Sequence, residues 1–399
     1  MASQDRNEPS LSSQKRKRRG RNEGSIYKRK DGRWAASLDV GWQDGKRKRK
    51  HFLGRTRAEV HKKLVRAQRD LGQGIAPCND RLSVGAYLEI WLKQCARPTV
   101  RPLTYESYAC LVRVHLIPDL GRVQLSKLSP ERLQSFLNHK VETGTSARRV
   151  QMMHAVLRTA LNQALRWGLV ARNVATLVDP PRYVREPVRP LSPEEARRFM
   201  EAARGDSYEA VYALALGLGL RIGEVLGLRW GDIDLATGQL TVRHALQRSK
   251  SRGLELVEPK SRTSVRSLVL PAFVVRSLHQ QQVRQKQQAR WGGLKWQDRD
   301  LVFTTSVGTP IDADKVRRRF KVLLEQAGLR DMRLHDLRHS CASFLLAQGL
   351  QPRTIMELLG HSQISLTMNT YAHVMPSLMQ DAAQRMDALF EDEASAVQS

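Results

Sequence analysis

The sequence predicts a multidomain chain, mainly α-helical with small β-sheets. Three observations lead there. Residues 24–54 carry hairpin signals between short alternating strands, and residues 84–167 carry apolar stripes of helical period. A run with four prolines in twelve residues, Asp179 to Pro190, then separates these from a second block in which helices again dominate. At 399 residues the chain is long enough for two or three domains with cores of their own.

Taken in order, residues 1–22 end in KRKRRGR and hold nothing to bury, so a disordered basic arm is expected. Its charge suits phosphate neutralisation; a nuclear-localisation reading of the same run is the weaker alternative. Residues 23–72 form the first domain. Asp31-Gly32 and Asp44-Gly45 are turn signals, and Trp34, Ala36, Leu38 and Val40 alternate between them, which predicts a three-stranded sheet with one buried face. Thr56 with Glu59 three residues on then opens a helix running to Leu71.

Residues 80–178 read as a bundle of four helices. Val84, Tyr87, Leu88, Trp91 and Leu92 line the first; the second runs from Thr104 to His115 and ends at Pro118. Ser129-Pro130 starts the third, facing Leu133, Phe136 and Leu137 inward. The fourth spans Ser146 to Trp167, with Val150, Met153, Leu157, Leu161 and Leu165 as its stripe. These apolar stripes are core rather than a cofactor box. Residues 179–191 are an extended linker.

The last large domain, 192–390, opens with a capping box at Ser192-Pro193-Glu194-Glu195. Gly217-Leu-Gly-Leu-Arg221 contains G-x-G but no preceding strand and no third glycine, so it is no nucleotide loop. It reads instead as a junction between two helices presenting Arg221, with Glu224 one turn on to fix the guanidinium. Asp232 and Asp234 read as turn caps, and no metal site is assigned. Gly238–Leu246 and Val265–Leu270 read as strands of one antiparallel sheet, with Lys260 in the connection between them. Residues 280–298 read as surface, and a helix covers Ala313 to Gly328. An acidic tail, 391–399, closes the chain.

The charge is extreme: 67 Lys and Arg against 39 Asp and Glu, net +28, with pI ≈ 10.6. Residues 1–70 alone hold 22 Lys and Arg against 8 Asp and Glu, half of the net charge in under a fifth of the length. Such a balance calls for a polyanionic partner, nucleic acid before membrane. Four cysteines without C-x-x-C spacing fit a reducing cytoplasm. The longest apolar run, Ala210 to Leu220, is too short to span a bilayer.

The most informative stretch is Leu334 to Tyr371. Leu334, Leu337, Cys341, Phe344 and Leu345 form one helical face, while His335, Arg338 and His339 fall on the neighbouring one. Gly349 with Pro352, and then Gly360, punctuate two successive helices. His361 follows Gly360, and Tyr371 lies ten residues on. Singly, each has a bland reading: solvated face, C-cap, packing. Together, His335-x-x-Arg338, Leu359-Gly360-His361 and Tyr371 resemble the tyrosine recombinases, or phage integrases. The stretch from Gly217 through Arg221 to Trp230-Gly-Asp232-Ile-Asp234 is similar to that family's first-arginine box.

The resemblance implies the family's catalytic fold for 192–390, a core-binding domain for the helical bundle and an arm-site DNA-binding domain at 23–72. In the bundle, Arg148, Arg149 and Arg158 are candidates for backbone contact. Tyr27, Lys28, Arg29, Lys30, Arg33 and Lys46, Arg47, Lys48, Arg49 and Lys50 would then enter a major groove, which admits a β-ribbon; the alternative is a solvated basic hairpin. The implied chemistry is phosphodiester cleavage without metal, cofactor or ATP. Arg221 and Arg338 clamp the phosphate, His361 adds a hydrogen bond, Tyr371 attacks, His335 helps deprotonate it, and Lys260 protonates the leaving oxygen. Arg262 and Arg266 rank below Lys260 for that last role. The implied partners are double-stranded attachment sites and a homotetramer on DNA in a bacterial cytoplasm, with an excisionase or host DNA-bending protein as further candidates and no membrane. A tail helix, Pro376 to Phe390 with Met379, Ala382, Met386 and Leu389 on one face, packs either in cis or on a neighbouring protomer. Rival readings are a Xer-type or transposon recombinase, a type IB topoisomerase, and a DNA-binding regulator with a vestigial site.

Overall fold

The computed structural model describes residues 24–43, 46–72, 82–184, 188–258, 265–360, 384 and 386–387. The chain divides into two units, Met1–Val184 and Arg185–Ser399.

In the first unit, β1 (Ser25–Lys28), β2 (Trp34–Gln43) and β3 (Lys46–Gly54) form an antiparallel sheet in the order β1-β2-β3. The first turn is built as Asp31-Gly32 predicts: Gly32 takes φ 80°, and Asp31 Oδ1 accepts from the Arg33 amide at 3.1 Å. Ala36 and Leu38 bury one face against Val60, Leu64 and Ala67 of α1 (Arg57–Gly72). Thr56 caps that helix, its Oγ1 accepting from the Glu59 amide at 3.2 Å, and Glu59 reaches back to the Arg55 amide.

Helical segments build the rest of this unit: α2 (Val84–Trp91), α3 (Arg97–Thr99), α4 (Pro102–Cys110), α5 (Ile117–Leu120), α6 (Pro130–Glu142) and α7 (Ala147–Arg166). Their core joins Val84, Tyr87, Leu88 and Trp91 to Leu133, Leu137, Val150, Met153, Leu157 and Leu161. Two expectations change. Pro118 does not end the second helix. Instead, π-helical turns at Leu92–Ala96 and Leu111–Leu116 each finish two residues before a proline, Pro98 and Pro118. In the second, the Ile117 amide donates to the Val112 carbonyl, five residues back. That widened register lets the helix absorb a residue with no N–H. Leu165 is 41% exposed, and Ala164 takes the inward position at the end of α7.

The second unit contains α8 (Pro193–Ala202), α9 (Glu209–Gly217), α10 (Ile222–Leu226), β4 (Ile233–Asp234), β5 (Gln239–Val242), β6 (Ala245–Ser249), β7 (Gly253–Val257), β8 (Arg266–Val269), α11 (Ala272–Gly292), α12 (Ala313–Gln326), α13 (Asp336–Ala347) and α14 (Pro352–Leu359). The buried helix α9 lies at its centre, apolar on every side and packed by Phe199, Val274, Leu278, Phe320 and Leu337. The Ser192 capping box forms as predicted, with Glu195 also held by Arg330 at 2.7 Å.

The predicted strand Gly238–Leu246 is broken at Arg243-His244. β5 pairs with β4 and β8, while β6 leaves to make a separate hairpin with β7. Leu246 faces the core of α10, where its backbone lies against Gly223 and Gly227. Asp234 caps a turn, its Oδ1 accepting from the amides of Ala236 and Thr237. Asp232 instead lies beside Arg243, at 3.3 Å, and His244. Nor is the segment after 280 all surface: Gln281 and Gln285 are buried. Gln285 Nε2 donates to the Leu301 carbonyl at 2.7 Å and to Thr304 Oγ1, and its Oε1 accepts from Trp230 Nε1. One glutamine thus satisfies three groups on segments far apart in the chain.

Candidate active site

Arg221 sits at the N-terminus of α10, in extended backbone, where α9 has just ended through Gly219 at φ 61°. Its Nη1 donates to Glu224 Oε1 at 2.7 Å, and its backbone amide donates to Oε2 at 3.1 Å. Glu224, one turn into the helix, is buried. Burial alone would raise its pKa, but the guanidiniums of Arg266 and Arg221 outweigh it and hold the carboxyl below its ordinary value. Glu224 is therefore a fixed anion beside Arg221.

Arg338 lies on the first turn of α13 and is 2% exposed. Such a cation survives burial only where its donors are matched. Nη1 donates to the Gly219 carbonyl, and Nη2 to the Leu359 carbonyl at 2.7 Å. His335 stands just ahead of α13, with its ring at 5.2 Å from that of His339, edge to face. It keeps an exposed side, yet surrounding protein pushes its pKa below the ordinary histidine value, and Arg338 pushes further in the same direction. Both effects favour the neutral imidazole, the form able to accept a proton.

These groups meet at the C-terminal end of α14. Three successive carbonyls there each accept from a different arginine: Leu358 from Arg266 Nε at 2.7 Å, Leu359 from Arg338, and Gly360 from Arg221 Nη2 at 3.3 Å. Gly360 closes the helix in the left-handed region, φ 66° and ψ 46°. Arg221 is the most open of the three arginines, with 40% of its side chain exposed. Carbonyls at a helix end carry partial negative charge, and they hold the guanidiniums together despite their like charge.

The structure brings together Arg221, Glu224, His335 and Arg338. Lys260, His361 and Tyr371 lie outside the described residues, although His361 directly follows Gly360. The basic arm and the acidic tail are outside as well, and so is most of the tail helix; residues 384, 386 and 387 are helical, with Met386 exposed. Among the DNA-binding candidates, Tyr27, Lys28, Arg29, Lys30, Arg33 and Arg49 are exposed, and Lys50 is half-buried. The side chains of Lys46, Arg47 and Lys48 are not among those described. Among the described residues, no group of three His, Cys, Asp or Glu could hold a metal ion, and no helix is long and apolar enough to cross a membrane.

Sequence reasoning undervalued Arg266. Its signal was the period of β8, where Arg266 and buried Leu268 share the inward face.

Residues 189–377 match the model described as "Phage integrase family", and residues 83–141 match "Phage integrase, N-terminal SAM-like domain". An integrase of Streptomyces ambofaciens is 33% identical over 389 residues, covering 94% of this chain and 98% of that protein. The chain belongs to the phage integrase family of tyrosine recombinases. Solved members share its fold. The integrase of transposon Tn1549, in complex with a circular intermediate DNA, superposes with a TM-score of 0.66 at 21% identity, over 76% of this chain and 99% of that one. A lambda integrase tetramer bound to a Holliday junction gives a TM-score of 0.56 at 17% identity, over 89% and 96%. In this integrase-family chain Arg221 and Arg338 thus surround the end of α14, whose Leu359-Gly360 precedes His361 in sequence.

Proposed function

We propose that this protein is a site-specific DNA recombinase that integrates or excises a phage or other mobile element by cleaving and rejoining attachment-site DNA. The supporting observation is that Arg221 and Arg338 donate to successive carbonyls on the turn that leads into His361, with His335 one helical turn from Arg338. Arginine suits a scissile phosphate because its fork is planar and always charged. Among the described groups Arg221 is the open guanidinium, 40% exposed, with Glu224 holding it from behind. A guanidinium held in that way complements the charge that builds on the non-bridging oxygens as phosphorus becomes five-coordinate.

In the proposed reaction the Tyr371 oxygen attacks phosphorus and its proton passes toward His335. The bond from phosphorus to the 5′ oxygen breaks, and Lys260 supplies the proton that this oxygen takes up. A 3′-phosphotyrosyl link and a free 5′-hydroxyl result. Tyrosine's ordinary pKa is about 10, and neighbouring cations favour its ionised form. The covalent link keeps the bond energy, so another 5′-hydroxyl reverses the step without ATP or metal. Exchange between two duplexes takes four such cleavages, hence a tetramer on DNA, as is recorded for the lambda integrase. The basic hairpin around Asp31-Gly32 binds DNA away from the cleavage point.

The test is incubation with nicked attachment-site DNA, taken from the sequence flanking the gene. A denaturant-stable adduct is expected from the wild type and not from Tyr371→Phe. An adduct that relaxes supercoils without ever joining two sites would point to a topoisomerase instead.

A further inference from the structure

We propose that Arg266 is a positioning residue for the cleavage step, locking Glu224 and the end of α14 into one frame; this rests on the recombinase reading above. Arg266 does not reach outward as a surface arginine would. Its side chain is 8% exposed. Nη2 donates to Glu224 Oε2 at 3.0 Å, and Nε donates to the Leu358 carbonyl at 2.7 Å. A guanidinium is planar, so these two bonds fix the carboxylate and the carbonyl relative to each other.

Both ends of that lock touch the chemistry. Glu224 holds Arg221 by side chain and by backbone amide. Leu358 lies in the last turn of α14, two residues before Gly360, and a Cβ added at Gly360 would stand 3.0 Å from Arg266 Nη1. The turn into His361 is therefore laid directly against the Arg266 guanidinium. On the other side, β8 holds Arg266 through its pairing with Val242 of β5. Arg266 thus connects a sheet, the first catalytic arginine and the helix end that precedes His361; Glu224 and Leu358 are 42 and 92 positions away from it in the chain. Lysine could keep the charge, but a single ammonium lacks the fork that serves both acceptors at once.

The experiment is single-turnover adduct formation on nicked attachment-site DNA with the full-length wild type, Arg266→Met and Arg266→Lys, alongside DNA affinity and thermal melting. R266M is expected to form adduct about tenfold to a hundredfold more slowly, the scale of a misplaced catalytic group, with DNA affinity unchanged. R266K is expected to recover part of that loss, and E224Q combined with R266M to be no slower than the slower single variant, because the two act as a unit. Wild-type cleavage by R266M overturns the proposal. So does a loss that merely tracks melting or DNA affinity in R266M and R266K alike. Should R266M fail to fold, R266K decides: a fully active R266K means that no fork is required. A wild type that forms no adduct sinks the recombinase reading together with this one, whereas an active wild type with an equally active R266M sinks this one alone.

Discussion

Arg338 Nη2 donates to the Leu359 carbonyl at 2.7 Å, and through Nη1 the same guanidinium holds the carbonyl of Gly219, 119 positions earlier in the chain. One buried side chain therefore joins three segments of the catalytic unit: the end of α9, the start of α13 and the end of α14. Arg338→Lys keeps the charge but loses this bridge. We expect cleavage to fall on the order of 10²-fold or more, as when a preorganised transition-state donor is lost. Stability should fall by about 1–3 kcal/mol for a buried carbonyl left unmatched. Adduct assays and denaturant melts check the two effects separately.

Gly219 has no room for a side chain. Its φ is 61°, and an added Cβ would stand 2.2 Å from Leu359 Cδ2. Gly219→Ala is expected to cost on the order of 1–3 kcal/mol in backbone strain, with displacement of Leu359 in addition. Adduct formation should fall further than Gly205→Ala lowers it, since Gly205 also has positive φ but nothing within 4 Å. Equal effects in the two variants would assign the whole loss to backbone strain.

The pH dependence follows from His335. Its pKa is lowered, first by burial and next by Arg338, so the free base persists below the ordinary value of 6.5. A base works above its pKa, so cleavage should persist at pH 6.5 and fall only as the solution becomes more acidic. His335→Gln should lower the rate and remove that limb. Stability moves in the same direction. The unfolded chain, with the higher pKa, takes up its proton first, so stability declines as pH drops past about 6.5. An acid limb unchanged in H335Q would remove His335 from the role of base.

The hairpin is testable by salt. Lys28, Arg29 and Lys30 are exposed beside the Asp31-Gly32 turn. If they neutralise phosphates, replacing all three with alanine should flatten the plot of log affinity against log salt by about 0.9 for each phosphate no longer neutralised. Binding of DNA that lacks the sites recognised by this domain should keep its slope.

Gln285 carries a purely structural prediction. Its amide serves Leu301, Thr304 and Trp230 inside the second unit. Gln285→Leu removes every partner at once, and we expect a loss of about 2 kcal/mol or more in a urea titration, because buried polar groups lose their match.

Much of the site could be read from spacing because its local pairs lie one helical turn apart. Arg221 with Glu224 forms as expected, and so does the Ser192 box. What escaped has long-range causes. Arg338 reads from sequence as a projecting side chain, but the carbonyls that bury it come from Gly219 and Leu359. Gln281 and Gln285 look like surface residues because their acceptors, on Leu301 and Val302, belong to another segment. After the break at Arg243-His244, β6 lies against Gly223 of α10 and Gly227 just beyond it, a fit which no local period announces. Pro118 misled for the opposite reason: a strong local rule yields where a wider helical turn removes the need for its missing donor.

Arg330 gives up two donors to the carbonyls of Arg189 and Pro190, and Ser340 Oγ accepts from the Leu191 amide while donating to the Asp336 carbonyl. Residues 189–191 thus serve as the first course of the catalytic unit, although Arg189-Pro190 looks like the end of a spacer. Anyone excising that unit for study should cut upstream of position 189. A fragment trimmed at Ser192 would expose the underside of the very helix that presents His335 and Arg338, and an inactive product would then report on the scissors rather than on the enzyme.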